Sequence, residues 1–116
     1  MAGSEARILA ECLRLSTGDT RLLRNNVGML QNKHGRFVRF GLCPGSSDLI
    51  GWTRTLILPK HVGSKLSVFT AVEVKAHNGR PTAEQTAFIN AVRAAGGIAG
   101  IAHSAEEAQQ LLDSLK

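Results

Sequence analysis

Gly45-Ser46-Ser47-Asp48-Leu49-Ile50-Gly51-Trp52 and, further along the chain, Phe69-Thr70-Ala71-Val72-Glu73-Val74-Lys75 are two apolar stretches that carry three charged residues between them. Side chains alternate along an extended chain, so Glu73 and Lys75 share one face with Phe69 and Ala71, while Val72 and Val74 point the other way into a core. A carboxylate and an ammonium buried beside a phenylalanine cost several kcal/mol unless they are paired or bound to a metal. A divalent-metal hydrolase site answers that cost. Asp48 and Glu73 then supply hard oxygen ligands, and Lys75 orients or deprotonates a water. Mg²⁺ suits such a site because it takes few protein carboxylates and keeps its other positions for water and substrate phosphate. The same residues also fit a plainer arrangement, an exposed i,i+2 pair on a half-buried sheet with Asp48 capping the turn after Gly45-Ser46-Ser47.

Twelve of the fourteen Lys and Arg residues lie in 1–80, against five of the nine acids, so the surplus behind the net charge of +5 sits in the part that carries the proposed site. The sequence pI near 9.9 points to a polyanion as partner. With four Phe, one Trp and no Tyr, contact with duplex phosphates is a better expectation than stacking of single-stranded bases. A length of 116 residues with 43% hydrophobic residues predicts one domain with one core. No run approaches the roughly 20 apolar residues of a membrane span, and the N-terminus lacks the basic-then-apolar order of a signal peptide, so a cytoplasmic protein is expected. Cys12 and Cys43 read as reduced thiols. The four histidines, His34, His61, His77 and His103, lack the close spacing of a zinc site, and no glycine pattern cradles a nucleotide cofactor.

Ser4 predicts an N-cap, with Ile8, Leu9, Cys12 and Leu13 on one helical face. Thr20 to Asn26 reads as a strand ending in Arg24, Asn25 and Asn26, and Asn-Asn-x-Gly is also good turn chemistry. Met29 to His34 has no clear period and is expected to be an exposed loop. Arg36 to Phe40 alternates as a strand, with Phe37 and Val38 packing and Arg36 and Arg39 as candidate phosphate contacts. Gly41 to Ser47 is a small-residue turn that lets a phosphate approach backbone N–H groups, those of Ser46 and Ser47 included. Strands are expected over Asp48–Leu58 and Leu66–Ala76, joined as an antiparallel hairpin that brings Asp48 to Glu73. His77 and Arg80 lie in the basic connection that follows. Thr82 to Gln85 forms a capping box that opens a helix, with Phe88, Val92 and Ala95 toward the core. Gly96-Gly97 stops that helix, Ile98 to Ala102 makes a short strand, and Ser104 to Glu107 is a second capping box that opens a last helix to Leu115. Strand, helix, strand here implies a right-handed crossover and a parallel pair. The resulting fold class is α/β, an αβββαβα core with a mixed sheet flanked by helices.

Asp48, Glu73 and Lys75 match the D…(D/E)xK signature of the PD-(D/E)xK nuclease superfamily. From about Glu5 to the C-terminal helix the chain resembles a stand-alone VRR-NUC domain, the virus-type replication and repair nuclease module. The resemblance also rests on Arg24-Asn25-Asn26-x-Gly28, Gly35-Arg36-Phe37, Gly45-x-x-Asp48, Gly79-Arg80-Pro81-Thr82, Gln85-x-x-Phe88 and Gly96-Gly97. Ser47 departs from it, since many superfamily members carry proline before the aspartate; proline there stiffens the turn and binds nothing.

The resemblance implies a restriction-endonuclease-like fold over 1–116 and a DNA endonuclease dependent on Mg²⁺ or Mn²⁺. Asp48, Glu73 and the Val74 carbonyl are its metal ligands, and Lys75 positions the attacking water. Gln85 and Glu5 complete the site, Glu5 matching the family's first-helix glutamate better than Glu11. Gln85 is thus offered two roles, at the site or in the capping box. Arg24, Asn25 and Asn26 border the site, and Arg24, Asn26, Arg36, Arg39, Ser46, Ser47, His77 and Arg80 are the expected DNA contacts. A four-way (Holliday) junction cut by a homodimer, in a protein of viral or bacterial origin, is the implied setting. A non-catalytic nucleic-acid-binding module of the same fold is the alternative.

Overall fold

A computed structural model of the chain describes residues 4–16 and 18–115. It is mixed α/β and divides into two compact units, residues 1–55 and 56–116. Among the described residues no helix is long and apolar enough to cross a membrane.

The first unit opens with α1 (Glu5–Leu13), capped as expected by Ser4, whose Oγ accepts the Arg7 N–H at 3.2 Å. Leu9, Cys12 and Leu13 are half-buried, whereas Ile8 is exposed. Strand β1 (Thr20–Arg24) pairs antiparallel with β4 (Leu49–Thr53), from Thr20 opposite Thr53 to Arg24 opposite Leu49. Gly51 lies opposite Leu22, where a Cβ would collide with the Arg21 carbonyl. The Arg21 guanidinium lies over the Trp52 ring, 5.4 Å from its centroid.

Between these strands, β2 (Gly28–Gln31) and β3 (Phe37–Phe40) form an antiparallel hairpin. The segment expected as a loop after Gly28 is therefore in part a strand. Asn32 makes the hairpin: its Oδ1 accepts the His34 and Arg36 N–H groups at 2.9 and 3.0 Å, and its own N–H bonds the Arg36 carbonyl at 2.7 Å. No alternation marks β2 because neither face has a core to meet. For the same reason Phe37 and Val38, expected to pack, are exposed, Phe37 by 68%.

The second unit is a strand–helix–strand crossover. β5 (Thr70–Val74) runs parallel to β6 (Ile98–Ala102), with α2 (Ala83–Ala94) between them and α3 (Ala105–Leu112) following. The parallel pair is as expected. Ile89 and Val92 of α2 and Ile98, Ala99 and Ala102 of β6 form the buried core. Thr82 and Ser104 cap their helices, accepting the Gln85 and Glu107 N–H groups. The Glu107 side chain turns to His103 instead of closing a second capping box, and the last helix stops at Leu112.

Several expectations are corrected here. Six strands form three two-stranded sheets among the described residues, in place of one mixed sheet. β4 and β5 are five residues each, shorter than expected, and their ladders are with β1 and β6 instead of the predicted hairpin. Val74 does not point into a core but is 74% exposed. The face of β5 that meets α2 is the one with Ala71 and Glu73, so the charged face is the covered one.

Candidate active site

In the second unit the site is built on Glu73, at the fourth position of β5. Its Oε1 accepts a 2.8 Å hydrogen bond from Gln85 Nε2 and lies 3.5 Å from Lys75 Nζ. The Glu73 and Lys75 side chains are 31% and 21% exposed, so the pair is neither a free surface pair nor fully desolvated. Charge-assisted N–H···O bonds run at about 2.7–2.9 Å. The Gln85 contact is therefore the tight one, and Lys75 is held loosely with donors to spare. Gln85 is placed by the start of α2, where its Oε1 accepts the Thr82 N–H at 2.9 Å. A cleft beside Glu73 is lined by Ala71, Gln85, Phe88 and Ile89. His77 and Arg80 are exposed beyond the strand, and Gly79 closes a turn there through its N–H to the Ala76 carbonyl at 2.7 Å.

In the first unit Asp48 directly precedes β4. It is exposed, and its carboxylate makes no hydrogen bond or ion pair among the described residues. The turn before it is tied to Asn25, whose N–H bonds the Asp48 carbonyl at 2.8 Å. Asn25 Nδ2 donates to Ser46 Oγ at 2.8 Å and to the Ser47 carbonyl at 2.9 Å, and its Oδ1 accepts the Leu42 N–H at 3.0 Å. Ser46 and Ser47 thus serve to build this turn. The resemblance sets Asn25 at the border of the site but gives it no part in this turn. No local signal marks that role, because the turn it holds lies far from Asn25 in sequence.

The remaining candidates are spread over both units. Glu5 is exposed in the first turn of α1, and Glu11 is paired with Arg7 at 3.2 Å. Arg24 Nε donates to Asn26 Oδ1 at 2.8 Å, so these two expected DNA contacts hold each other. Arg36 and Arg39 are exposed on the hairpin. Two histidines serve local structure: His61 Nδ1 accepts the Leu58 N–H at 3.0 Å, and His103 Nδ1 lies 3.1 Å from Glu107 Oε2. Cys12 and Cys43 are both free thiols.

No three His, Cys, Asp or Glu side chains gather as a metal cluster among the described residues. The carboxylates of Glu73 and Asp48 are nonetheless hard donors with unused oxygen lone pairs, the chemistry of Mg²⁺ or Mn²⁺ in preference to zinc. Glu73 keeps Oε2 outside its contacts with Gln85 and Lys75.

No curated protein and no solved structure matches the chain. The sequence does match the family model of the VRR-NUC domain over residues 3–106, nearly its whole length. The chain belongs to the VRR-NUC family and is a nuclease-type domain.

Proposed function

We propose that the protein is a metal-dependent endonuclease that hydrolyses DNA phosphodiester bonds, is specific for branched DNA, and cuts four-way junctions as a homodimer. The observation that carries the hydrolytic reading is Glu73, fixed by Gln85 Nε2 at 2.8 Å with Lys75 Nζ loosely held at 3.5 Å. Gln85 fixes the direction of the carboxylate, and the long Lys75 contact leaves ammonium donors for a water. In this reading Glu73 and Asp48 hold Mg²⁺ or Mn²⁺, assisted by the Val74 carbonyl and completed by Glu5. When bound, the ion stabilises negative charge on the phosphoryl oxygens and acidifies water. Lys75 orients the attacking water, its ammonium having donors left over from the long contact with Glu73. Gln85 keeps the carboxylate aimed. Arg36, Arg39, His77 and Arg80 contact the backbone of the DNA, in keeping with the basic surplus of 1–80. Cutting two strands symmetrically calls for two-fold symmetry, which is the argument for the dimer.

The test is cleavage of labelled four-way junction, flap, single-stranded and plain duplex DNA with Mg²⁺ or Mn²⁺, alongside Lys75→Ala and Asp48→Ala. Paired symmetric cuts in the junction, lost in both variants, are the expected result. Cuts only in another substrate would keep the nuclease and remove the junction preference. Binding with no cleavage of any DNA would leave the non-catalytic module.

A further inference from the structure

We propose that Asn25 is a positioning residue for Asp48, an inference that rests on the nuclease reading above. Asn25 follows the last ladder pair of β1 and β4, Arg24 opposite Leu49, and its N–H carries the pairing one step further to the Asp48 carbonyl. Its side chain then reaches the turn at both ends. Nδ2 spends both its hydrogens on Ser46 Oγ and the Ser47 carbonyl, immediately before Asp48, and Oδ1 takes the Leu42 N–H where the turn begins. Ser46 Oγ relays the hold by donating to the Cys43 carbonyl at 2.6 Å.

Asn25 is half-buried, and Asp48 is exposed with no side-chain partner among the described residues. The aim of the Asp48 carboxylate is therefore set by its main chain, and the main chain is set by Asn25. The residue type follows from the contacts. Two donors and an acceptor on one short planar group are needed; aspartate has no donors when ionised, and serine has only one. A displacement of about 1 Å at a reacting group can cost on the order of a hundredfold in rate.

Asn25→Ala and Asn25→Asp in the full chain separate this role from general stability. Asn25→Ala is expected to lower kcat for DNA cleavage by about tenfold to a hundredfold, with KM for the DNA little changed. The Mn²⁺ concentration for half-maximal cleavage should rise. The Leu42 amide should exchange faster with solvent while the amides of β1 and β4 stay protected. Asn25→Asp keeps the acceptor for Leu42 and loses both donors, so its Leu42 amide should remain protected although cleavage falls as in Asn25→Ala. Wild-type kcat in either variant would overturn the proposal, as would a loss confined to KM or matched by exchange throughout β1 and β4. If the wild-type chain itself cuts no DNA, the nuclease reading fails separately. Exchange at Leu42 and Mn²⁺ affinity, followed by proton relaxation, then decide whether Asn25 holds the turn and aims Asp48: both change in Asn25→Ala if it does, and neither changes if it does not.

Discussion

Gln85 donates from Nε2 to Glu73 Oε1 at 2.8 Å while its Oε1 accepts the Thr82 N–H at 2.9 Å, so one amide joins the start of α2 to the charged face of β5. The helix cap and the site compete for this side chain only if it has one useful end. An amide has two. Its orientation is fixed by its partners, because the flipped group would set oxygen against carboxylate and NH₂ against N–H.

Two substitutions at Gln85 separate its two ends. Glutamate can still close the capping box but has no donor for Glu73 and sets a second carboxylate against it. Alanine loses both contacts. Gln85→Ala should cost about 1 kcal/mol of stability, the usual scale of a lost helix cap, and Gln85→Glu should keep the helix start while lowering cleavage at least as much. Thermal melts and the cleavage assay read the two effects separately. Unchanged cleavage in both variants would remove Gln85 from the site.

Lys75→Met keeps the aliphatic stem and removes the ammonium. The ion pair with Glu73 is long at 3.5 Å and partly exposed, and such pairs contribute about 0–1 kcal/mol. Stability should therefore change little. If Lys75 orients or deprotonates the attacking water, kcat should fall by about 10²–10⁴. A variant that melts like the wild type and also cuts like it would contradict that role.

The parts of the fold that were legible in the sequence are those with a one-sided core or a local cap. Ser4, Thr82 and Ser104 announced their helices because N-caps are local chemistry, and Ile98 to Ala102 announced β6 because nearly all of it is buried. The hairpin of β2 and β3 was hidden because both its faces meet solvent, which leaves no alternation to detect. Val74 misled because alternation shows which residues share a face but not which face is covered; α2 covers the face with Glu73. At the site, Glu73 and Lys75 stood out as charges in an apolar strand. Asn25 did not, since its role depends on contacts with residues 42–48, far from it in sequence.

Gly41 and Gly45 bracket the turn before Asp48, and both have positive φ, at 88° and 83°. They differ in surroundings. A Cβ at Gly41 would lie 2.5 Å from the Asn26 carbonyl oxygen and 2.7 Å from Val27 Cα, whereas at Gly45 nothing lies within 4 Å. Gly45→Ala should therefore cost only the backbone strain, about 1 kcal/mol. Gly41→Ala adds a clash with main chain that cannot move aside cheaply, and should cost about 2–3 kcal/mol or more. Denaturant midpoints for the two variants check the order, and equal losses would show that the turn shifts to admit the methyl.

The titration of Glu107 should be visible in folding. Its Oε2 accepts the His103 N–H at 2.7 Å and lies 3.1 Å from His103 Nδ1, and chiefly the backbone hydrogen bond, then the contact with the ring, holds its carboxyl below the ordinary value of 4.5. The unfolded chain therefore binds a proton at this position more readily than the folded one. The contribution of Glu107 to stability is whole above 4.5 and is lost as pH falls through the lower folded value. Glu107→Gln keeps an acceptor for His103 but no charge, and the Ser104 cap on residue 107 remains. The gap in melting temperature between wild type and Glu107→Gln should be at its full width above 4.5 and close progressively below it. A gap that stayed constant down the acid limb would mean that the carboxylate charge adds nothing to the His103 contact.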